Sequence, residues 1–146
     1  MRITPAQLLC EAGARGAETA RRIAAQFQTD EVFTLARRAG VKIIYERWPL
    51  VTIGECEKRS RTIRVNLNAI EHRDSIKYLG KELLERAIIA HELGHLFDTR
   101  TEKLSADKST ERLIDEHTAH GFAAQLLQVS CAELRSIESH LKNADR

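Results

Sequence analysis

The residues best suited to chemistry are His91, Glu92 and His95, which form the pattern H-E-x-x-H within the segment Ile88–Phe97. Residues four apart on an α-helix lie on one face, so the two imidazoles can bind the same metal ion. Glu92 is rotated by about 100° from His91, because a helix has 3.6 residues per turn. It would therefore lie beside the metal, where a general base acting on water is needed. The pattern predicts a hydrolytic metal centre.

Apolar residues flank the pattern on both sides. They are Leu83, Leu84, Ala87, Ile88, Ile89, Leu96 and Phe97. A helix that carries them is expected to pack in a core, whereas a surface helix with two chance histidines would carry Lys and Glu there. The alternative interpretation is a histidine pair that only packs or faces solvent.

A catalytic zinc ion usually has three protein ligands and one open position, so a third ligand is required. The next predicted helix offers four candidates: Asp115, Glu116, His117 and His120. Spacing alone does not choose between them. Glu116 shares a helix face with the apolar residues Ala119 and Ala123, and an inward carboxylate is costly unless it meets a metal. Glu116 is the preferred ligand, and an ordinary glutamate near a helix N-terminus is the alternative.

Two helices must position these residues. The first is predicted from about Lys81 to Asp98, and Gly94 inside it indicates close packing against a neighbouring element. A polar loop follows over residues 99–110. The second helix is predicted over residues 111–128 and carries Glu116.

The rest of the chain is predicted from capping and alternation. Capping patterns predict a helix opened by Thr4 with Pro5 and Gln7, a short helix opened by Thr29–Asp30 and closed by Gly40, and a last helix opened by Ser130 and Glu133 and running to about Leu141. Residues 69–77 are ambiguous. β-Branched or alternating segments predict strands over residues 41–47, 51–57 and 62–67. Three strands need a helix packed on them to be stable.

The expected fold is α+β, with a small antiparallel sheet of about three strands on a helical, zincin-like core that holds the H-E-x-x-H helix. One metallopeptidase domain is expected over residues 1–146. It comprises an N-terminal helix (1–29), a core (30–132) and a C-terminal helix (131–146).

Composition favours a globular protein, with 42% hydrophobic and 30% charged residues. The net charge of +2 is too balanced to require nucleic acid or a membrane as partner. The basic stretch Arg59–Arg64 is interpreted as a solvated turn, with a protein or nucleic-acid contact as the alternative. Cys10, Cys56 and Cys131 form no C-x-x-C pair and are expected to be reduced and half-buried. With no apolar leader near Met1, a cytoplasmic location is expected.

The two site helices resemble the ImmA/IrrE family of zinc metallopeptidases. The likeness lies in Ala90-His91-Glu92-Leu93-Gly94-His95 and in Glu116-x-x-Ala119-x-x-Phe122-Ala123, and it extends over about residues 30–132. The resemblance implies one zinc ion per chain, held by His91, His95 and Glu116, with Glu92 as general base. Where that family usually has Asn or Asp supporting a ligand histidine, this chain has His120.

The chemistry implied is peptide hydrolysis of a specific cytoplasmic protein, such as a DNA-binding repressor in a stress, phage or mobile-element response. Tyr78, His117 and His120 are unranked candidates for an oxyanion donor. A substrate segment is expected to pair with an exposed edge of the sheet, at residues 62–66 before the metal helix. The alternative function is a non-catalytic, metal-binding interaction module that regulates a repressor or toxin partner.

Overall fold

The computed structural model describes residues 3–71 and 80–135, which form helices around a small sheet. The elements are α1 (Pro5–Phe27), α2 (Val32–Arg38), β1 (Lys42–Glu46), β2 (Gly54–Glu57), β3 (Thr62–Asn66), α3 (Leu67–Ile70), α4 (Lys81–Phe97) and α5 (Lys108–Leu127). The predicted α+β class and the number of strands are confirmed. No helix in the described ranges is long and apolar enough to cross a membrane.

The sheet has the order β1–β3–β2, with β3 at its centre. β3 pairs antiparallel with β2 but parallel with β1, so the prediction of an antiparallel sheet was wrong for β1. The chain reverses once after β1 and again at the turn before β3, which leaves β1 and β3 running the same way. Buried Asn66 donates hydrogen bonds to the carbonyls of Trp48 and Thr52 and thereby holds the β1–β2 connection across the end of β3.

The central position of β3 shows that the substrate contact expected at residues 62–66 was wrong. Both sides of β3 are paired, so residues 62–66 cannot accept a further strand. β2 is the edge strand that packs against α4. Any extended segment that joins this sheet near the H-E-x-x-H helix must therefore pair with β2.

Helices α1, α4 and α5 approach one another closely at glycines. A Cβ on Gly94 of α4 would lie 2.8 Å from the Cα of Ala119 in α5. A Cβ on Gly16 of α1 would lie 1.9 Å from the carbonyl oxygen of Thr118, also in α5. These separations require a residue without Cβ. The predicted packing role of Gly94 is confirmed.

The core lies between the sheet and α4 and continues to α5. Its fully buried side chains include Ile63, Val65, Leu84, Ile88, Ile89, Leu93 and Phe122. Helix α4 has apolar side chains around most of its circumference because it contacts the sheet on one side and α5 on another. Helix α4 is therefore buried over most of its length.

Several element boundaries differ from those expected. Glu31, rather than Thr29 or Asp30, caps α2 through a hydrogen bond to the Thr34 N–H. β2 starts at Gly54, three residues later than predicted. Helix α5 starts three residues before Glu111 because Asp107 caps it.

The capping predictions for three helix ends are confirmed. The Thr4 capping box of α1 forms, and Gly40 follows α2 with a positive φ of 71°. Ser130 accepts a hydrogen bond from the N–H of Glu133 where residues 131–135 begin a helix. The predicted end of that helix near Leu141 lies outside the described residues.

Candidate metal centre

His91 and His95 project from one face of α4, as their spacing predicts. Their ring centroids are 4.9 Å apart. The Glu116 carboxylate of α5 faces both rings, with its Oε2 3.1 Å from Nε2 of His91 and its Oε1 2.9 Å from Nε2 of His95. Of the four side chains considered for the third ligand, Glu116 is the one that meets the histidine pair.

These three side chains fit a metal ion. One ligand atom from each residue lies within 4.8 Å of the other two. Tetrahedral zinc with ligands at about 2.0–2.1 Å places them roughly 3.3 Å apart, close to the two N–O separations in this site. Two imidazole nitrogens and a carboxylate oxygen are a donor set that catalytic zinc uses. The side chain of Glu116 is 51% exposed, so the group opens to solvent on that side.

The histidines control the charge of Glu116. Hydrogen bonds to His91 and to His95 hold the pKa of the Glu116 carboxyl well below its usual range, although partial burial opposes the shift. Glu116 is therefore ionised near neutral pH. An ionised carboxylate beside two imidazoles is the form of this group that binds a cation.

Glu92 occupies a different environment, against the sheet. Its side chain is buried, and burial raises the pKa of its carboxyl, while the two neighbouring histidines oppose that shift. A Cβ on Gly54 of β2 would lie 3.3 Å from Oε1 of Glu92 and 2.7 Å from Cγ2 of Ile88. The absence of a side chain at Gly54 thus lets β2 lie directly beside the Glu92 carboxylate.

Comparisons with protein-family models, with curated proteins and with solved structures found no match. The chemistry is therefore inferred from the residues of the site. The predicted ligands His91, His95 and Glu116 come together, and the predicted base Glu92 directly follows His91 in the chain.

An open cleft of about 590 Å³ adjoins this group. It is lined by Glu55, Cys56, Lys58, Glu92, His95, Asp98, Arg100 and Asp115. One wall is the edge strand β2, and the other comes from the end of α4 and the start of α5. A cleft of this shape exposes Glu92 and His95 to a ligand lying along β2.

Within residues 3–71 and 80–135, the edge of β2 away from β3 pairs with no other strand and presents backbone groups at alternate residues. The N–H of Asn66 bonds to the carbonyl of Ile53, so Ile53 and Asn66 form a hydrogen-bonded pair. Such pairs alternate along an antiparallel ladder, and the backbone groups of Gly54 and Cys56 therefore point away from β3. They are the groups that a further strand would use.

The cysteines differ in exposure. Cys10 and Cys131 are exposed, whereas only Cys56 is half-buried as expected. Burial raises the pKa of the Cys56 thiol to about 11, helped by the charge of Glu92. Cys56 is thus a protonated thiol near neutral pH and fits its predicted structural role.

Two of the three candidates for an oxyanion donor, His117 and His120, are in the described part of the chain. Neither His117 nor His120 is among the residues lining the cleft, and Nε2 of His120 lies 3.2 Å from the carbonyl oxygen of Cys131. Burial lowers the pKa of His117. Tyr78 lies outside the described residues.

Two cationic residues of the cleft, Lys58 and Arg100, were not predicted as site residues. Lys58 donates to the carbonyl oxygen of Asp98 at 3.0 Å. Arg100 donates to Asp115 at 2.8 Å and to Glu111 at 3.1 Å. The sequence carries no signal for Arg100, because Lys108 and Arg112 stand three residues before Glu111 and Asp115 and offer each a basic partner on the helix itself.

The basic stretch is dispersed. Arg61 donates to the carbonyl of Ala39, and Arg64 on β3 lies opposite Glu55 of β2. This register places opposite charges side by side on the sheet.

Proposed function

We propose that the protein is a zinc-dependent endopeptidase with one zinc ion per chain. The observation that carries the proposal is the convergence of two imidazoles and Glu116 from two helices that meet only in the folded chain. His91, His95 and Glu116 would hold the ion. When bound, zinc supplies Lewis acidity, lowering the pKa of water to near 7 and polarising a carbonyl group.

Glu92 would act as the general base and then the general acid. Its carboxylate takes a proton from the attacking water and delivers it to the leaving amine. Its buried position against β2 supports this role, because a shielded carboxylate keeps a fixed orientation toward the cleft. The ligand Glu116 cannot serve in its place while both of its oxygens face the histidines.

The substrate would bind as an extended peptide along β2. The outward groups of Gly54 and Cys56 would form the first backbone hydrogen bonds, which select a peptide of extended shape rather than one side chain. Cys56→Pro removes one outward N–H and is expected to lower kcat/KM, whereas Cys56→Ala keeps the N–H and serves as the control. Equal kcat/KM for two folded variants would argue against pairing at β2.

We further propose membership of the ImmA/IrrE-type peptidases, supported by the two quoted motifs. The substrate would then be a specific cytoplasmic protein, such as a repressor that controls stress, phage or mobile-element genes. A non-catalytic metal-binding module that regulates such a partner is the competing function. Glu92→Gln distinguishes the two functions, because it should abolish cleavage by an enzyme and leave a binding module functional.

Elemental mass spectrometry of purified wild type and Glu116→Ala tests the metal centre. Wild type is expected to carry about one zinc per chain, and the variant to lose most of it, because two ligands hold zinc far less tightly than three. Glu133→Ala, an exposed glutamate elsewhere, is the matched control. Wild type that takes up no zinc when supplied with it would refute the proposal.

A further inference from the structure

Arg100 links the chain that leaves α4 to the first turns of α5. Its side chain is only 12% exposed. Nη2 donates to Oδ1 of Asp115 at 2.8 Å and to Oε2 of Glu111 at 3.1 Å. Its backbone N–H also donates to Asp98, the residue that ends α4, at 3.1 Å. One arginine thus connects the end of one ligand-bearing helix to the start of the other.

Glu111 extends this link to the loop. Its Oε1 accepts hydrogen bonds from the N–H groups of Leu104 and Ser105. The connection between α4 and α5 is therefore hydrogen-bonded to α5 through the carboxylates of Glu111 and Asp115, which lie on one helix face. Charge-assisted hydrogen bonds of this kind are stronger than neutral ones, especially at low exposure.

The link adds to the restraint that the close contact between Gly16 and Thr118 places on the rotation of α5 about its own axis. Glu111 and Asp115 are four residues apart and share a face, while Glu116 is rotated from Asp115 by about 100°. The close contact between Gly94 and Ala119 sets the distance between α4 and α5. The separation of α4 and α5 alone does not fix the direction of the Glu116 side chain, because a rotation of α5 would carry its carboxylate away from the histidines.

The charge of Arg100 determines how it holds its two partners. Glu111, Asp115 and Glu116 are three carboxylates within two turns of α5. Two of them bind Arg100, and the third, Glu116, faces the histidines. A guanidinium can serve two carboxylates through its planar fork, whereas an ammonium group makes a less directional contact.

We propose that Arg100 is a positioning residue that directs Glu116 toward the histidine pair and so strengthens metal binding. The inference rests on the proposed metal centre but assigns a role to a residue outside the ligand set. Direct partners of metal ligands usually affect metal affinity by 10–100-fold. Arg100 reaches Glu116 only through the neighbouring Asp115, so an effect at the lower end, about 10-fold, is expected here.

The test is zinc affinity, measured by competition with a chromogenic chelator. Arg100→Gln is expected to weaken zinc binding by about 10-fold, and Arg100→Lys by less, because it keeps the charge. Arg21→Gln removes an exposed arginine that pairs with Glu18 on α1 and is expected to leave the affinity unchanged. An affinity of Arg100→Gln equal to that of wild type would overturn the inference and leave the metal centre standing.

A double-mutant cycle separates positioning from a general structural role. If Arg100 acts through Glu116, Arg100→Gln should cause little further loss of zinc affinity in the Glu116→Ala background. Losses that simply add would overturn the proposal. If Arg100→Gln does not fold in chelator, the cycle with Glu116→Ala is repeated with Asp115→Asn and with Arg100→Lys in its place. Wild type that binds no zinc would overturn both this proposal and the metal centre.

Discussion

Two glutamates in one site differ because of what surrounds them. Glu116 is half-exposed, and hydrogen bonds to the histidines hold its pKa well below the usual range. Glu92 is buried against β2, and burial raises its pKa. Environments that move two carboxyl pKa values apart are typical of sites in which the groups have different tasks. Here the two tasks would be metal binding and proton transfer.

Replacing Glu92 by glutamine tests the division of tasks. Glu92→Gln is expected to keep its zinc, since Glu92 is outside the ligand group, and to lose roughly 10²–10⁴-fold in peptide cleavage, because the amide cannot accept the proton. Cleavage of a peptide library, read by mass spectrometry, measures the loss. Glu55→Gln, on the wall of the same cleft, is the control and is expected to stay active. Full activity of Glu92→Gln would exclude Glu92 as the base.

At the scale of elements, the separation of α4 and α5 depends on Gly94. An added Cβ would meet the backbone of Ala119 at 2.8 Å, and a backbone atom cannot rotate away. Alanine favours a helix over glycine by about 1 kcal/mol, whereas overpacking costs about 1–3 kcal/mol. The steric effect is therefore expected to outweigh the gain in helix propensity.

Gly94→Ala is expected to lower the free energy of unfolding by about 1 kcal/mol, measured by urea denaturation in chelator. Gly13→Ala is the matched control on α1. A Cβ on Gly13 would lie 3.9 Å from the carbonyl oxygen of His117, which is an ordinary contact. That variant should gain up to about 1 kcal/mol. Stabilisation by both substitutions would contradict the close approach at Gly94.

The contribution of the loop between α4 and α5 to folding stability should depend on pH through Glu111. Burial alone would raise the pKa of Glu111, but N–H groups of Ser105 and Leu104 and the Arg100 guanidinium hold it below its usual value. The unfolded chain then binds the proton more readily than the folded one, so this contribution to stability is present above about pH 4.3 and is lost as pH falls.

Comparison of wild type with Glu111→Gln measures that contribution. The difference in unfolding free energy should be largest near neutral pH and should shrink as pH falls below about 4.3. Denaturation in chelator keeps metal binding out of the measurement. A difference that does not change with pH would show that Glu111 acts through its shape rather than its charge.

At the scale of the whole molecule, the metal centre couples the fold to the ion. The ligands come from α4 and α5, which the unfolded chain does not hold together. Zinc at 100 times its Kd is expected to stabilise the folded state by about 2.7 kcal/mol, which raises Tm by roughly 5–10 °C. Thermal unfolding with zinc and with chelator measures this shift. Glu116→Ala should reduce it sharply, and a full shift in that variant would contradict its role as ligand.

The amino-acid sequence by itself determined the local parts of this protein. The spacing of His91 and His95 placed both on one helix face, apolar periodicity identified α4 and α5, and the Thr4 capping box marked the start of α1. These features depend on residues within a few positions of each other. Helix geometry alone was therefore sufficient to predict them.

The tertiary structure decided what depends on residues far apart in the chain. The parallel pairing of β1, the central place of β3 and the exposed edge of β2 follow from how the 47–53 connection crosses the sheet. Helix-face periodicity favoured Glu116 over its neighbours, but only the packing of α5 on α4 brought its carboxylate to the histidines. The Arg100 link joins the loop to Glu111 and Asp115 and was not predicted. Such distances cannot be predicted from local residue spacing, because they arise only when the helices and strands pack together.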